Sequence, residues 1–582
     1  MPGASAPADA PGTLRTTSSL APQALSHHEA PQPPRLLPSY PPHPHDSPEE
    51  TPVRTIVPDT STGLLGDSWR TCVGTGRMEL ALRRDYQDSL ALVQREIGFR
   101  YIRGHGLFSD GMGIYKPYEV DGRQEVLYSF TYLDQVVDAY LELGIEPFLE
   151  LGFMPEALAS GDATVFWWKG NITPPSSYDA WADLVRATLN HLVERYGLER
   201  VRGWPVEVWN EPNLVNFWLD ADQQEYFRLY EVTARAVKDV DPQIQVGGPA
   251  ISPGADAWWE PFLAFVEAHD APLDFVSSHA YATGPAQHVP FGTYQTLRES
   301  DHLLEQLAAP REHLAGTRYA GVPVHITEYS SSYRPDNPVH DTAFNAAYLA
   351  PVLAAGGDLV DSFSYWTFCD MFEEEGVPAA IFHGGFGLLT HRQIKKPTFH
   401  LFAFMARMGQ HVLARGDDHL VCRDDDGRVT VLAWQPVHGT EGPAAPARHE
   451  VRLSLPVGAA PARLSTGTGS GSASASASAS TSGPATVLVE TASVDETEGN
   501  AFAAWQHMGR PRSPSERQVA TLRTLAEPVR RHASLPVVDG RVELDLDLRR
   551  HGVTFVEITP VVDETPSWLD DRRIVGQDEV VR

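Results

Sequence analysis

The sequence predicts an α/β fold, a (β/α)8 TIM barrel followed by a C-terminal antiparallel β-sandwich. Between about residues 70 and 410, short apolar runs alternate with segments of helical period. After about 411 the helical period fades and alternating strand-like runs take over. Strict alternation of strands and helices implies a parallel sheet, and eight such units imply closure into a barrel.

The barrel elements follow in order. "RTCVGTGRM" and "FRYIRGHG" give the first two strands. Leu133, Val136, Val137, Tyr140 and Leu141 fall at i, i+3, i+4, i+7 and i+8 on one helix face, and "GIEPFLELG" follows as a short buried strand. Trp181, Leu184, Val185, Leu189 and Leu192 mark the next helix, with Ser177 placed to cap it, and "VEVWNEPNL" is the fourth strand with its exit. Helices around Tyr226 to Val237, Trp258 to Ala268, Asp301 to Leu314 and Thr342 to Leu353 precede "QIQVGGP", "DFVSSHAY", "VPVHITEYS" and "SFSYWTF".

Residues 51–410 are therefore read as the barrel domain and 411–562 as the sandwich. The sandwich strands are "HLVCR", "RVTVLAWQ", "HEVRLSL", "ATVLVE", "RVELDLDL" and "VTFVEITP", interrupted by a short helix from Gln518 to Arg531. "TIVPDTSTG" near residue 55 adds a strand to it. Residues 1–50, rich in Pro, Ala, Ser and His, lack the apolar content to offset ordering entropy and read as a disordered lead. The tract 465–483 reads as a flexible low-complexity insertion, and 563–582 as a tail.

Composition narrows the function. Lys plus Arg number 46 against 76 Asp plus Glu, a net charge of -30. That balance speaks against nucleic acid and anionic membrane surfaces, and a neutral substrate fits better. Three cysteines without ligand spacing suit a reducing compartment. Neither a signal peptide nor an 18-residue apolar run is found, so the expected location is the cytoplasm. A homo-oligomer is left open.

Barrel active sites lie at the carboxyl ends of the strands. Glu211 ends the fourth apolar run and Glu328 the seventh. A lone glutamate is usually a solvated loop residue, but two that face each other across a barrel mouth suit glycoside hydrolysis. One donates a proton to the leaving oxygen, and the other attacks or activates water. Trp366, at the end of the eighth strand, and Phe217 are candidate apolar platforms for a sugar face. Neither His-x-His nor an Asp/His cluster marks the strand ends, so no metal and no cofactor are expected.

"VEVWNEPNLVNFW", "HITEYSSSYRP", "YIRGHGLFSDGMGIY", "FLELGFMPEALASG", "SSHAY" and "SYWTFCDMFEEEG" with "FHGGFGLL" together resemble glycoside hydrolase family 39, the β-xylosidase and α-L-iduronidase family of clan A. The resemblance runs from about 55 to 410 and on through "NAFAAWQHMGRP". It implies a retaining mechanism, with Glu211 as acid/base, Glu328 as nucleophile and Asn210 contacting the sugar 2-hydroxyl. It also implies that His105, His279 and Tyr281 hold sugar hydroxyls, and that Glu373 and Glu374 reach them.

A retaining pair is expected about 5 to 5.5 Å apart. The reading is an exo-acting β-xylosidase that releases xylose from xylo-oligosaccharides. An α-L-iduronidase or arabinosidase-type activity, with Arg334 near the site, stays open, as does a noncatalytic carbohydrate-binding barrel. Arg103, beside His105, is placed near the nucleophile but outside the expected site.

Overall fold

The structure, a computed structural model, describes residues 55–58, 60–290, 292–457 and 486–561. The Pro-rich lead, the low-complexity tract and the tail lie outside the described residues.

Eight parallel strands close the barrel. They are β1 (Cys72–Gly74), β2 (Tyr101–Gly104), β3 (Glu146–Leu151), β4 (Val206–Val208), β5 (Val246–Ile251), β6 (Phe275–Tyr281), β7 (Val324–Ser330) and β8 (Ser362–Tyr365). Neighbours in the ring are neighbours in sequence, and β3 pairs with β4 while β8 pairs with β1. Nearly every strand residue is buried, because helices cover the outside and side chains fill the inside.

The outer helices include α1 (Arg84–Glu96), α2 (Thr131–Glu142), α3 (Tyr178–Tyr196), α4 (Gln223–Val240), α5 (Trp259–His269), α6 (Asp301–Leu314), α7 (Ala343–Gly356) and α8 (Pro397–Met405). Ser177 Oγ caps α3 by accepting from Ala180 N, as its sequence position suggests. On α2 the predicted apolar face is the buried one, through Leu133, Val136, Val137 and Tyr140. In contrast, α7 is buried almost all round, as its Ala-rich sequence requires.

After the barrel come β9 (His411–Arg415), β10 (His419–Arg423), β11 (Val429–Trp434), β12 (Arg448–Pro456), β13 (Thr486–Val494), β14 (Val529–Pro536), β15 (Arg541–Arg549) and β16 (Val553–Pro560). A seven-stranded sheet runs Gly63–Leu64, β9, β10, β11, β16, β13, β14. A three-stranded sheet is made of Thr55–Ile56, β12 and β15.

On β15, Val542, Leu544, Leu546 and Leu548 point into the core while Glu543, Asp545 and Asp547 face out. This period-two alternation sets the sheet's inner face. The other face of the larger sheet joins the barrel core through Val494, Val553 and Phe555.

The helix expected over 518–531 is instead α9 (Ala501–His507) followed by α10 (Glu516–Ala526), and the chain from Val529 pairs with β13 as β14. Glu527 is extended because it precedes Pro528, which clashes with a helical conformation at that residue. Among the described residues, no helix is long and apolar enough to cross a membrane.

Candidate active site

Strand β4 stops at Val208, and the next residues carry the acidic group across the barrel mouth. Trp209 and Glu211 take left-handed backbone angles, φ 70° and 43°, which non-glycine residues adopt only when their surroundings hold them. Here the hold is visible. Trp209 Nε1 donates to Phe217 O at 2.8 Å, its ring packs edge-on to Trp218, and Glu211 N donates to Ala250 O at 3.0 Å. Glu328 needs no such turn, since it lies within β7 itself.

Both carboxylates are buried, Glu211 to 7% exposure and Glu328 to 4%. One oxygen of each and a ring nitrogen of His279 all lie within 4.8 Å of one another. So close an approach of the nearest oxygens is compatible with the roughly 5–5.5 Å between the carboxyl groups of a retaining pair.

The surroundings of the two differ. Glu328 accepts from Arg103 Nη1 at 2.8 Å on one oxygen and from the Tyr281 hydroxyl at 2.7 Å on the other. Among the described residues Glu211 has no Arg or Lys within bonding distance, and its oxygen is met by His279 Nδ1 at 2.8 Å. Burial pushes the Glu211 carboxyl up to about 7, with His105 and Arg103 pulling the other way and Glu150 adding to the rise. Burial drives His279 down to about 4, so its ring is neutral. Its Nε2 is buried without a partner. An unpaired N–H costs more than an unpaired lone pair, so the proton belongs on Nδ1, which donates to Glu211.

Arg103 sits beneath the pair with its side chain fully buried. Besides Glu328 it binds Glu207 at 2.6 Å, Glu150 at 3.0 Å and Asn210 Oδ1 at 2.9 Å. Burial opposes its charge, but Glu207, Glu150 and Glu328 more than offset that and hold its pKa above the ordinary arginine value. Glu207 is also bonded by Thr327, and Glu150 by His105 Nδ1 at 2.7 Å.

Above this floor opens a cavity of about 830 Å³. Of the residues expected from sequence, His105, Asn210, Glu211, Phe217, Tyr281, Glu328, Trp366 and Glu374 line it. His105 Nε2 lies 3.7 Å from both Glu328 and Glu374. Burial and the nearby charges of Glu328, Glu211 and Glu375 raise the Glu374 carboxyl well above its usual range.

Two of the expected residues stand outside the cavity lining. Glu373, whose φ is 64°, does not line the cavity; its carboxylate is bound by Arg77 and Arg83, each at 2.8 Å. His279 does not line it either; its side chain is fully buried, with Nδ1 2.8 Å from Glu211 and 3.6 Å from Glu328.

Glu150 and Glu207 were missed by sequence reasoning, as were the cavity residues Phe166, Tyr333 and Phe386. A charged residue inside an otherwise apolar strand was the available signal for the two glutamates.

Comparisons with known proteins agree with this geometry. Glycosyl hydrolases family 39 matches residues 54–543. The chain is 48% identical to a β-xylosidase of Geobacillus stearothermophilus over 526 residues, 89% of this chain and 98% of that protein. It is 34% identical to a β-xylosidase of Caldicellulosiruptor saccharolyticus over 85% of this chain and 96% of that one. Among solved structures, the GH39 enzyme of Xanthomonas axonopodis pv. citri has a TM-score of 0.76 at 33% identity, covering 88% of this chain and 98% of its own. A monomeric β-xylosidase of Caulobacter crescentus CB15 has a TM-score of 0.74 at 34% identity, covering 88% and 100%.

Proposed function

The chain belongs to glycosyl hydrolases family 39, and from that premise we propose that it is a retaining, exo-acting β-xylosidase, with Glu211 as acid/base and Glu328 as nucleophile. The observation that carries the role assignment is the contrast between two carboxylates whose oxygens approach within 4.8 Å. One accepts hydrogen bonds from Arg103 and Tyr281; the other lacks both, and burial pushes its carboxyl up to about 7.

In the first step a Glu328 oxygen attacks the anomeric carbon, the bond to the leaving oxygen breaks, and the Glu211 proton passes to that oxygen. His279 Nδ1–H occupies Oε1 of Glu211, which leaves the other oxygen to carry the proton. In the second step Glu211, now a carboxylate, takes a proton from water. The water oxygen attacks the anomeric carbon and the ester to Glu328 breaks, giving two inversions and net retention. Asn210, its Oδ1 engaged by Arg103, keeps its amide N–H groups for the sugar 2-hydroxyl.

A neutral sugar fits better than a uronic acid. Arg334 lines the cavity, but its guanidinium is bound by Asp336 at 3.1 Å and Glu375 at 2.8 Å. Glu375 lines the same wall and already pairs with that cation, which leaves a sugar carboxylate little to bind. Cytoplasmic residence is part of the proposal and is supported by three buried, free cysteines.

The test is azide rescue. Glu328→Ala should give a glycosyl azide of inverted configuration, because azide enters the vacated face in a single displacement. Glu211→Ala should still form the ester from substrates with good leaving groups, and azide should then give the retained product. The same anomer from both variants, each shown to be folded, would overturn the assignment.

A further inference from the structure

"FHGGFGLL", residues 382–389, has no part in the chemistry above, yet backbone and buried charged groups hold it at several points. It folds back against the segment after β8, where Leu388 N donates to Thr367 O at 3.1 Å and Asp370 N to Leu389 O at 2.9 Å. Lys396, just before α8 and fully buried, donates to Gly385 O at 2.7 Å and pairs with Asp341 at 2.7 Å and Asp370 at 2.9 Å. Those aspartates accept in turn from Gly384 N and Gly387 N, at 2.7 and 2.8 Å. A Cβ at Gly384 would lie 2.5 Å from the Asn337 carbonyl carbon, and one at Gly387 would lie 2.4 Å from Asp370 N, so the backbone approaches too closely for any other residue.

Three buried charges and flanking glycines thus fix one side chain, Phe386. A buried ion cluster gives little net stability over apolar residues of the same volume, so the geometry it imposes is the better account of its presence. Phe386 meets Phe372 edge-on at 5.2 Å, and Phe372 meets Trp366 at 5.6 Å. Phe386 and Trp366 both line the cavity and with Phe372 form one apolar cluster beside its carboxylates, phenol, imidazole and amide; Phe166 and Phe217 line it as well.

A pentopyranose has one ring edge without a hydroxyl, the C5 methylene, whereas a hexopyranose carries a hydroxymethyl group there. We propose that Phe386 selects pentose over hexose in this site, its ring covering the C5 methylene and closing the space a hydroxymethyl would need. Lys396 is the positioning residue that holds it. A hydroxymethyl pressed against this cluster would lose water and gain no hydrogen bond. The inference rests on the β-xylosidase reading.

The experiment measures kcat/KM of the full chain on 4-nitrophenyl β-D-xyloside and 4-nitrophenyl β-D-glucoside. Phe386→Ala should raise the glucoside-to-xyloside ratio by about tenfold or more, the scale on which a pocket discriminates a single added carbon. A general loosening of the site would lower both rates together, and an unchanged ratio overturns the selection role.

Lys396→Met combined with Asp341→Asn and Asp370→Asn removes the buried charges as a set, and Asp341→Asn alone is the milder variant. Both should shift the ratio in the same direction as Phe386→Ala; a wild-type ratio in either folded variant overturns the positioning role. No xyloside hydrolysis by the wild-type chain would remove the proposed function itself, and this inference with it.

Discussion

Replacing Glu211 with Gln should stabilise the chain at pH 8 and leave it nearly unchanged at pH 5. Burial holds this carboxyl at about 7 against an ordinary value of 4.5. Between those two values the folded chain keeps a proton that the unfolded chain has released. Stability therefore falls as pH rises through that window and stays lower above it. The difference of about 2.5, at ~1.36 kcal/mol for each, comes to about 3 kcal/mol. Glutamine has no charge to desolvate, and its Oε1 can still accept from His279 Nδ1, so the variant escapes that loss. With ~2.1 cal/mol/K of unfolding entropy per residue over roughly 500 ordered residues, the gain is about 3 °C in Tm at pH 8. Scanning calorimetry of both proteins at pH 5 and pH 8 reads it directly. An equal Tm difference at the two pH values, or a loss at pH 8, would refute a Glu211 held protonated by burial.

Arg103→Met should lower stability by about 3–5 kcal/mol in denaturant unfolding and abolish activity, because it strips Glu150, Glu207 and Glu328 of their shared cation. Tyr281→Phe removes a hydrogen bond to a charged oxygen of Glu328, so kcat/KM should fall roughly tenfold to a hundredfold, with the Tm little changed. Dialysis against EDTA should leave kcat/KM unaltered, since the nearest cluster of donors, Glu211, His279 and Glu328, is the proposed proton and nucleophile machinery itself. Activity lost to EDTA and restored by a divalent metal would contradict that reading.

The barrel was legible because its strands and helices differ in period, and Glu211 and Glu328 were legible because polar residues that end apolar runs in a barrel point into the mouth. Glu150 and Glu207 were not. In "FLELG" and "VEVW" an acidic residue between apolar ones reads as a solvent-facing position, but inside a barrel the alternate face meets other strands, and there Arg103 waits. The run Glu373-Glu374-Glu375 has no periodicity to say which members face the cavity; Glu374 and Glu375 line it, while Arg77 and Arg83 hold Glu373. Phe386 was hidden for a related reason: its place depends on Lys396, Asp341 and Asp370, which are spread over 56 residues of sequence and meet only in the fold.

On the proposed mechanism one residue serves as acid and then as base, and the placing of Arg103 bears on how. Its guanidinium donates to Glu328, Glu207 and Asn210 and pairs with Glu150, and none of its N–H groups bonds Glu211. Glu211 therefore meets the substrate as a buried acid beside a charged neighbour. On the proposed mechanism the first step turns Glu328 into a neutral ester, which removes a negative charge whose oxygens lie within 4.8 Å of Glu211. A like charge disfavours ionisation, so its loss lowers the Glu211 pKa at the moment the residue must become a base. Trapping the ester with a 2-fluoro xyloside and titrating Glu211 by carbon NMR should then give a value below the free enzyme's, which is about 7. An equal or higher value in the trapped enzyme would mean that the charge on Glu328 does not set the proton affinity of Glu211, and that its switch from acid to base has another cause.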